Sequence, residues 1–287
     1  MTTFRLVTPL LRELDRRGQI EFGDIWDVAV IAAIEDLENR YKQLRDRNRK
    51  LIDYASLPVQ MAYAFKYVAS HADFLAQVML HGLVNDAGNA LTDRDLRVTS
   101  LGGGPGSDLL AIIKVIRALS PERRPRSIHY RVLDKQPNWN EALEIVAASQ
   151  KATIDIQLDF ERIDVTIEAD WSESSLANDD LVIANYFVSE VCSLRESGSV
   201  KSCFRHLLRS MKQGAVLVYN DSSAYSFYSF FDDRVRLAGG FAPIIADEEK
   251  LFVSEYDYDD FYKDFMVRFD RNPKQHSSAV FRVLRRL

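Results

Sequence analysis

A glycine-rich turn carries the clearest chemical signal in this sequence. Residues 98–108 read VTSLGGGPGSD, and a run of apolar residues follows them. The pattern predicts a buried strand, a tight turn and the start of a helix, which is how α/β folds bring backbone close to a nucleotide-like ligand. Gly102, Gly104 and Gly106 lack a Cβ, so they can adopt positive φ angles and let a ligand approach the main chain. Ser107 stands where the dinucleotide fingerprint requires Gly or Ala.

A carboxylate ends the next strand-like segment. Residues 128–134 read IHYRVLD and finish in Asp134. In a βαβ unit the carboxyl end of the adjacent strand lies beside the glycine turn. Asp134 could therefore accept hydrogen bonds from both hydroxyls of a ribose. The alternative is that Asp134 forms a turn or caps a helix ahead of Pro137.

Three later segments read as further strands of the same sheet. Residues 160–165 (FERIDV) end in Asp164 and Val165, and residues 214–221 (GAVLVYND) follow a helix that begins near Val200. Residues 180–187 (DLVIANYF) are almost entirely apolar, as expected for a strand covered on both faces. Strands that alternate with helices predict a parallel sheet between two layers of helices.

The order and spacing of these segments resemble the class I S-adenosylmethionine-dependent methyltransferases over residues 96–287. The resemblance implies a Rossmann-like, doubly wound and mostly parallel seven-stranded sheet with an antiparallel C-terminal hairpin, read here in residues 266–270 and 277–285. It implies that Asp134 binds the ribose of S-adenosylmethionine and that Asp164 and Val165 contact the adenine. The implied cofactor loop consists of Leu101, Gly102, Gly103, Gly104 and Gly106. Ser100 departs from the family, because many members carry Asp or Glu there.

The resemblance also places the methyl-transfer site after the fourth and fifth strands. The candidates for catalysis are Asn185, Tyr186 and Glu190, and Asn185 also belongs to the cofactor site. Methyl transfer needs mainly proximity and orientation, with a base only where the acceptor loses a proton. Glu190 could equally cap or pair on a helix, so no base is assigned. Tyr225 opens an aromatic segment that would either contact the acceptor or form a buried helix face.

Residues 1–95 predict an all-helical cap, and residues 96–287 predict the cofactor-binding domain. Thr8-Pro9 reads as a helix start, Gly18 as its end and Asp24 as the cap of a second helix. A third helix is expected from about Val59 to Leu83 because apolar residues recur on one face. The polar residues 85–94 mark the boundary.

Two clusters in the cap each allow two interpretations. Tyr63, Tyr67 and His71 lie in an aromatic-rich run that would either pack in the core or line the substrate site. The basic residues between Arg40 and Lys50 would form either a solvated helix face or a nucleic-acid contact.

Composition narrows the class of protein. The 287 residues include 37 basic and 42 acidic residues, for a formal net charge of −5, which does not favour a nucleic-acid binder. No apolar run is long enough to span a bilayer and no signal peptide opens the chain, so a cytoplasmic protein is expected. Cys192 and Cys203 are expected to be reduced, and the five scattered histidines predict no metal site.

The sequence therefore predicts a methyltransferase with S-adenosylmethionine as cofactor and a small-molecule acceptor. The alternatives are methylation of an RNA base, a cofactor-binding interaction module without activity, and a nicotinamide-dependent oxidoreductase. Ser107 and the C-terminal hairpin disfavour the oxidoreductase. The acceptor, the base and the oligomeric state are left open.

Overall fold

The computed structural model describes residues 2–82, 95–194, 197–255 and 257–287. The expected boundary at residues 85–94 and the expected helix end at Leu83 lie outside this part. The helices are α1 (Thr3–Phe22), α2 (Trp26–Lys42), α3 (Leu57–Tyr63), α4 (Ala69–Gly82), α5 (Ser107–Ala118), α6 (Trp139–Ala148), α7 (Glu168–Trp171), α8 (Val188–Val191), α9 (Ser197–Ser210), α10 (Tyr225–Ala238) and α11 (Asp260–Arg268). The strands are β1 (Asp95–Leu101), β2 (Ser127–Asp134), β3 (Asp155–Arg162), β4 (Leu181–Asn185), β5 (Val216–Ser222), β6 (Phe241–Val253) and β7 (His276–Arg286).

The seven strands form one sheet in the order β3-β2-β1-β4-β5-β7-β6. Strands β1 to β5 are parallel, and β7 runs antiparallel to both β5 and β6. This arrangement confirms the predicted Rossmann-like sheet. Every residue of β4 is buried, as its apolar sequence predicted. The strand order reverses between β1 and β4. In sheets of this kind, ligands bind at the point of reversal, outside the carboxyl ends of the strands.

Two layers of helices cover the sheet. Helices α1, α4, α5 and α6 bury their apolar sides against one face, which includes Ile183 and Val218. Helices α9 and α10 cover the opposite face, which includes Val182 and Leu217. This alternation is the two-residue period of a strand that is apolar on both sides. The helices of the cap thus share a core with the sheet.

The C-terminal antiparallel pair differs from the prediction in one partner. β7 lies where it was expected, but it pairs with β6, and residues 266–270 belong to or directly follow α11. The spacing of Phe261, Phe265 and Phe269 explains the error, because steps of four place side chains on one face of a helix. Phe265 and Phe269 are buried.

The N-terminal helix boundaries were also predicted wrongly. Thr8, Pro9 and Gly18 all lie inside α1, which runs unbroken from Thr3 to Phe22. Gly18 does not end the helix, and a Cβ there would lie only 2.1 Å from the indole of Trp26. Glycine at position 18 therefore leaves the space that the buried Trp26 side chain occupies. Asp24 lies in a 3-10 turn that precedes α2.

The third predicted helix is present but interrupted. One π-helical segment, Ala64–Val68, separates α3 from α4. Such insertions locally widen a helix and occur frequently at functional sites. Here the segment contains Tyr67. No helix in the described ranges is long and apolar enough to cross a membrane.

Candidate functional site

The glycine turn lies at the carboxyl end of β1, where pairing with β2 places Leu101 opposite Leu133. The Gly102 N–H donates to the Leu133 carbonyl oxygen at 2.8 Å, which fixes the turn beside β2. Gly104 has a φ of +51°, and a Cβ there would meet only the Trp139 indole nitrogen, at 3.8 Å. The turn therefore presents bare backbone to an open cleft.

Asp134 ends β2 and faces the same cleft. Its carboxyl group accepts hydrogen bonds from the backbone N–H of Gly104 at 3.0 Å and of Gln136 at 2.8 Å. Burial raises its pKa to about 6, against the opposing effect of these two bonds. Asp134 thus stabilises the turn that follows β2. It also lines the cleft, as a residue that binds a ribose would.

Asp164 and Val165 follow β3 and close the cleft on the far side. The Asp164 carboxylate accepts from the Thr166 backbone N–H at 2.9 Å and hydroxyl at 2.6 Å, and it pairs with Lys135 at 3.2 Å. Burial alone would raise the pKa of Asp164, but these partners outweigh it and lower the pKa. Asp164 is therefore ionised at neutral pH.

Asn185 ends β4 within a buried polar network. Its amide nitrogen donates to Asp108 at 2.8 Å, and its amide oxygen accepts from Asn220 at 2.8 Å. The Ser100 hydroxyl donates to the other oxygen of Asp108. A carboxylate from α5 thus lies against Ser100 at the end of β1. Burial raises the pKa of Asp108 to about 6.

Tyr186 follows Asn185 in a left-handed backbone conformation with a φ of +53°. A non-glycine residue held there stores strain, which is typical of functional sites. Its hydroxyl donates to Ser277 at 2.9 Å, and its ring stacks on His71 with the centroids 3.9 Å apart. The hydrogen bond and the ring stacking together fix the position of the Tyr186 side chain.

Glu190 belongs to α8, lines the cleft and contacts two tyrosine side chains. Its carboxylate accepts from the Tyr41 and Tyr54 hydroxyls, each at 3.0 Å. Burial raises the pKa of Glu190 to about 7, although both hydrogen bonds oppose the rise. The Arg49 guanidinium donates to the backbone carbonyl of Glu190. Among the residues described, the buried Arg49 Nε has no partner.

One cleft gathers most of the predicted site residues. It is partly open to solvent, and both polar and apolar side chains line it. Its predicted lining residues are Tyr63, Gly102, Gly104, Asp134, Asp164, Val165, Asn185, Tyr186 and Glu190. Leu101 is buried at the end of β1, and Gly103 and Gly106 complete the turn without lining the cleft.

The remaining predicted residues lie elsewhere. Tyr67 and His71 line a second cavity that shares Tyr186 with the cleft, and we call it the rear cavity. Tyr225 is 72% exposed in the first turn of α10 and lines neither the cleft nor the rear cavity. The structure thus divides the aromatic run between the two cavities.

Most of the basic cluster is solvated, since Lys42, Arg45, Arg47 and Lys50 are exposed, but it is not a helix face, because α2 ends at Lys42 and turns and coil follow. Arg40 pairs with Asp36, Arg49 lines the cleft and Arg45 lines the rear cavity. Tyr54, which belongs to the aromatic-rich run, also lines the cleft, whereas the sequence did not predict Arg49 or Trp139 in its lining. The sequence signal for Arg49 was the basic cluster of the cap, and Trp139 had none.

No family model and no curated protein matches this chain. Among solved structures it is similar to an arsenic(III) S-adenosylmethionine methyltransferase from Chlamydomonas reinhardtii, at 13% identity over 74% of this chain and 73% of that one, with a TM-score of 0.41. It is also similar to the methyltransferase CalH in complex with S-adenosylhomocysteine, at 12% identity over 96% and 73% of the chains, with a TM-score of 0.49. A third similar structure is the O-methyltransferase TomG from Streptomyces achromogenes, at 12% identity over 88% and 89%, with a TM-score of 0.37. At such identities an activity has to be argued from the cleft itself.

Proposed function

We propose that this protein is an S-adenosylmethionine-dependent methyltransferase that acts on a small molecule. The observation that carries the proposal is the meeting of the Gly104 turn, the Asp134 carboxylate and Asp164-Val165 in one cleft. This cleft lies at the carboxyl ends of the strands where the sheet order reverses.

The residues of the cleft fit the cofactor. Above its pKa of about 6, the Asp134 carboxylate can accept hydrogen bonds from ribose hydroxyls. Asp164 and Val165 line the same cleft, and in this proposal they contact the adenine, with the carboxylate accepting from its exocyclic amine. The Arg49 side chain lines the same cleft, and its guanidinium suits the carboxylate of the methionyl portion. Glycine at position 104 leaves room for a ligand against the backbone.

Glu190 is the residue best suited to remove a proton from the acceptor. S-adenosylmethionine supplies an activated methyl group, so the protein must orient the acceptor and accept its proton. A carboxyl group with a pKa of about 7 matches the requirement for a general base at neutral pH. Tyr41 and Tyr54 hold its carboxylate in place.

Calorimetry with S-adenosylhomocysteine tests the cofactor site. We expect binding to the wild type and its loss in Gly104→Val, because the branched side chain would enter the cleft. Gly239→Val is the matched control, since Gly239 has a φ of +72° and equally open surroundings but lies outside the cleft. Equal affinity in the two folded variants would refute the loop assignment.

Transfer of a radiolabelled methyl group to fractionated cell extract tests the activity. Label in the small-molecule fraction is the expected result. Label in RNA would support the alternative acceptor class. Cofactor binding without transfer to any fraction would support a non-catalytic interaction module.

A further inference from the structure

The rear cavity adjoins the cleft, and Tyr186 lines both. Its wall combines α2, the π-helical turn, α4 and the segment that leads into β7. A second link joins the two spaces, because Tyr41 lines the rear cavity and its hydroxyl donates to Glu190 in the cleft. A molecule in the rear cavity would thus lie next to the residues proposed for methyl transfer.

Positive side chains dominate the lining of the rear cavity. Lys42, Arg45, Lys66 and Lys274 are its four cationic residues. Glu38 is the one lining carboxylate, and it pairs with Lys66 at 2.6 Å. Neither Lys42 nor Arg45 forms an ion pair within the described ranges, and both are exposed at the rim.

Lys274 is the innermost of these cations. Its Nζ lies 4.6 Å from the centroid of the Tyr186 ring. Burial lowers its pKa to about 8, while the Asp221 carboxylate behind the wall raises it, so the ammonium is largely charged at neutral pH. Asp221 itself accepts from the Ser189 and Ser222 backbone N–H groups. Its charge is thus already partly stabilised by other donors.

His71 adds an unused polar atom to the same wall. It is 2% exposed, and its Nε2 has no hydrogen-bond partner among the described residues. Burial, with Lys274 nearby, lowers the pKa of His71 well below its usual value, so the imidazole is neutral. Buried polar atoms without partners are rare in folded proteins and call for an explanation, such as a ligand. The stacked His71 and Tyr186 rings both line the cavity and offer that ligand aromatic contacts.

We propose that the rear cavity binds the methyl acceptor and that this acceptor is a small organic acid, with its anionic group at Lys274 and its body against Tyr186. The inference rests on the proposed methyltransferase activity. In the transfer, a lone pair of the acceptor forms the bond to the methyl carbon, the carbon–sulfur pair leaves on sulfur, and the acceptor's proton passes to Glu190. Lys42 and Arg45 attract the anion at the entrance.

Saturation-transfer NMR with matched pairs of small aromatic acids and their neutral amides tests the inference, with S-adenosylhomocysteine present. The pairs include carboxylates and phenyl phosphates, so that the two anionic groups are distinguished. We expect the acids to bind and the amides not to. Lys274→Met should weaken acid binding at least about tenfold, as loss of a charge-assisted hydrogen bond does. Lys201→Met, on the exposed side of α9, is the matched control and should change nothing.

Arg45→Gln provides a second variant at an exposed position, where folding is not at risk, and it should weaken the same acids to a smaller extent. Amides that bind as well as acids, acids that bind Lys274→Met normally, or the absence of any binding acid would each overturn the inference. Calorimetry with S-adenosylhomocysteine separates the two proposals. Cofactor binding without acid binding would refute the acid acceptor alone, whereas absent cofactor binding would refute the methyltransferase.

Discussion

At the scale of single residues, the site depends on carboxyl groups whose surroundings set their charge. Asp164 is surrounded by donors and stays ionised, whereas burial raises the pKa of Glu190 to about 7. Such divergence between neighbouring carboxyl groups commonly separates acid–base roles in active sites. The same residue types in the sequence gave no indication of this difference, because it arises from contacts across the fold.

Glu190→Gln tests the assignment of the base. If Glu190 must be ionised to accept a proton, kcat/KM of the wild type should rise with pH through an apparent pKa of about 7. The Gln variant should lose roughly 10²–10⁴-fold in kcat and the rise with pH, while its affinity for S-adenosylhomocysteine stays near that of the wild type. Steady-state kinetics across pH 5–9 measures both. A rise with pH that persists unchanged in Glu190→Gln would exclude Glu190 as the base.

Asp134→Ala should affect cofactor binding and stability together. Loss of hydrogen bonds to a charged group weakens S-adenosylhomocysteine about 10- to 100-fold by calorimetry. The melting temperature should also fall, because the Gly104 and Gln136 N–H groups lose their acceptor. Asp159→Ala, at an exposed position of the adjacent β3, is the control and should change neither quantity. Unaltered affinity together with a lower melting temperature would leave Asp134 a structural role only.

At the scale of elements, the junction of α1 and α2 shows how one glycine sets a packing distance. Gly18→Ala would place a Cβ 2.1 Å from the Trp26 indole, whose nitrogen donates to Asp15 at 2.8 Å. Overpacking of this kind costs about 1–3 kcal/mol of the free energy of unfolding. Gly198→Ala in α9 meets no atom within 4 Å and should be neutral or slightly stabilising. Urea unfolding compares the two, and equal midpoints would contradict the packing argument.

At the scale of the whole molecule, several buried carboxyl groups couple stability to pH. Burial raises the pKa values of Asp108, Asp134 and Asp221 to about 6 and that of Glu190 to about 7. Between pH 4 and 7 the native state therefore holds more protons than the unfolded chain, and the contribution of these groups falls as pH rises. One fully buried group contributes on the order of 3 kcal/mol to this change.

Urea unfolding at pH 5 and pH 7.5 measures the net effect. We expect the wild type to be less stable at pH 7.5, and we expect the difference to shrink in Asn or Gln variants at these positions. Asp233→Asn on α10 serves as the exposed control, and its pH dependence should match that of the wild type. A wild-type stability that rises across this interval would show that the carboxyl groups are not buried in the way the fold implies.

The sequence by itself determined the sheet, because strand period, glycine turn and helix starts are local patterns. β1 and its turn, Asp134 at the end of β2 and the buried β4 were all predicted from residues close together in the chain. Boundaries failed where distant contacts override local preference, as where Trp26 packs on Gly18 and where α11 replaces an expected strand. The division into a cap and a cofactor-binding domain stays a prediction.

Only the tertiary structure decided which side chains meet. Arg49 and Tyr54 lie far from Glu190 in the chain, and no local period could bring the three into one cleft. The Asp108 carboxylate reaches Ser100 from α5, and Lys274 reaches Tyr186 from beyond α11. Charge and pKa depend on burial and on such neighbours. The physical reason is distance along the chain. Hydrophobic periodicity reflects residues within one helix or strand, whereas the charge and reactivity of a site depend on contacts between residues of different helices and strands.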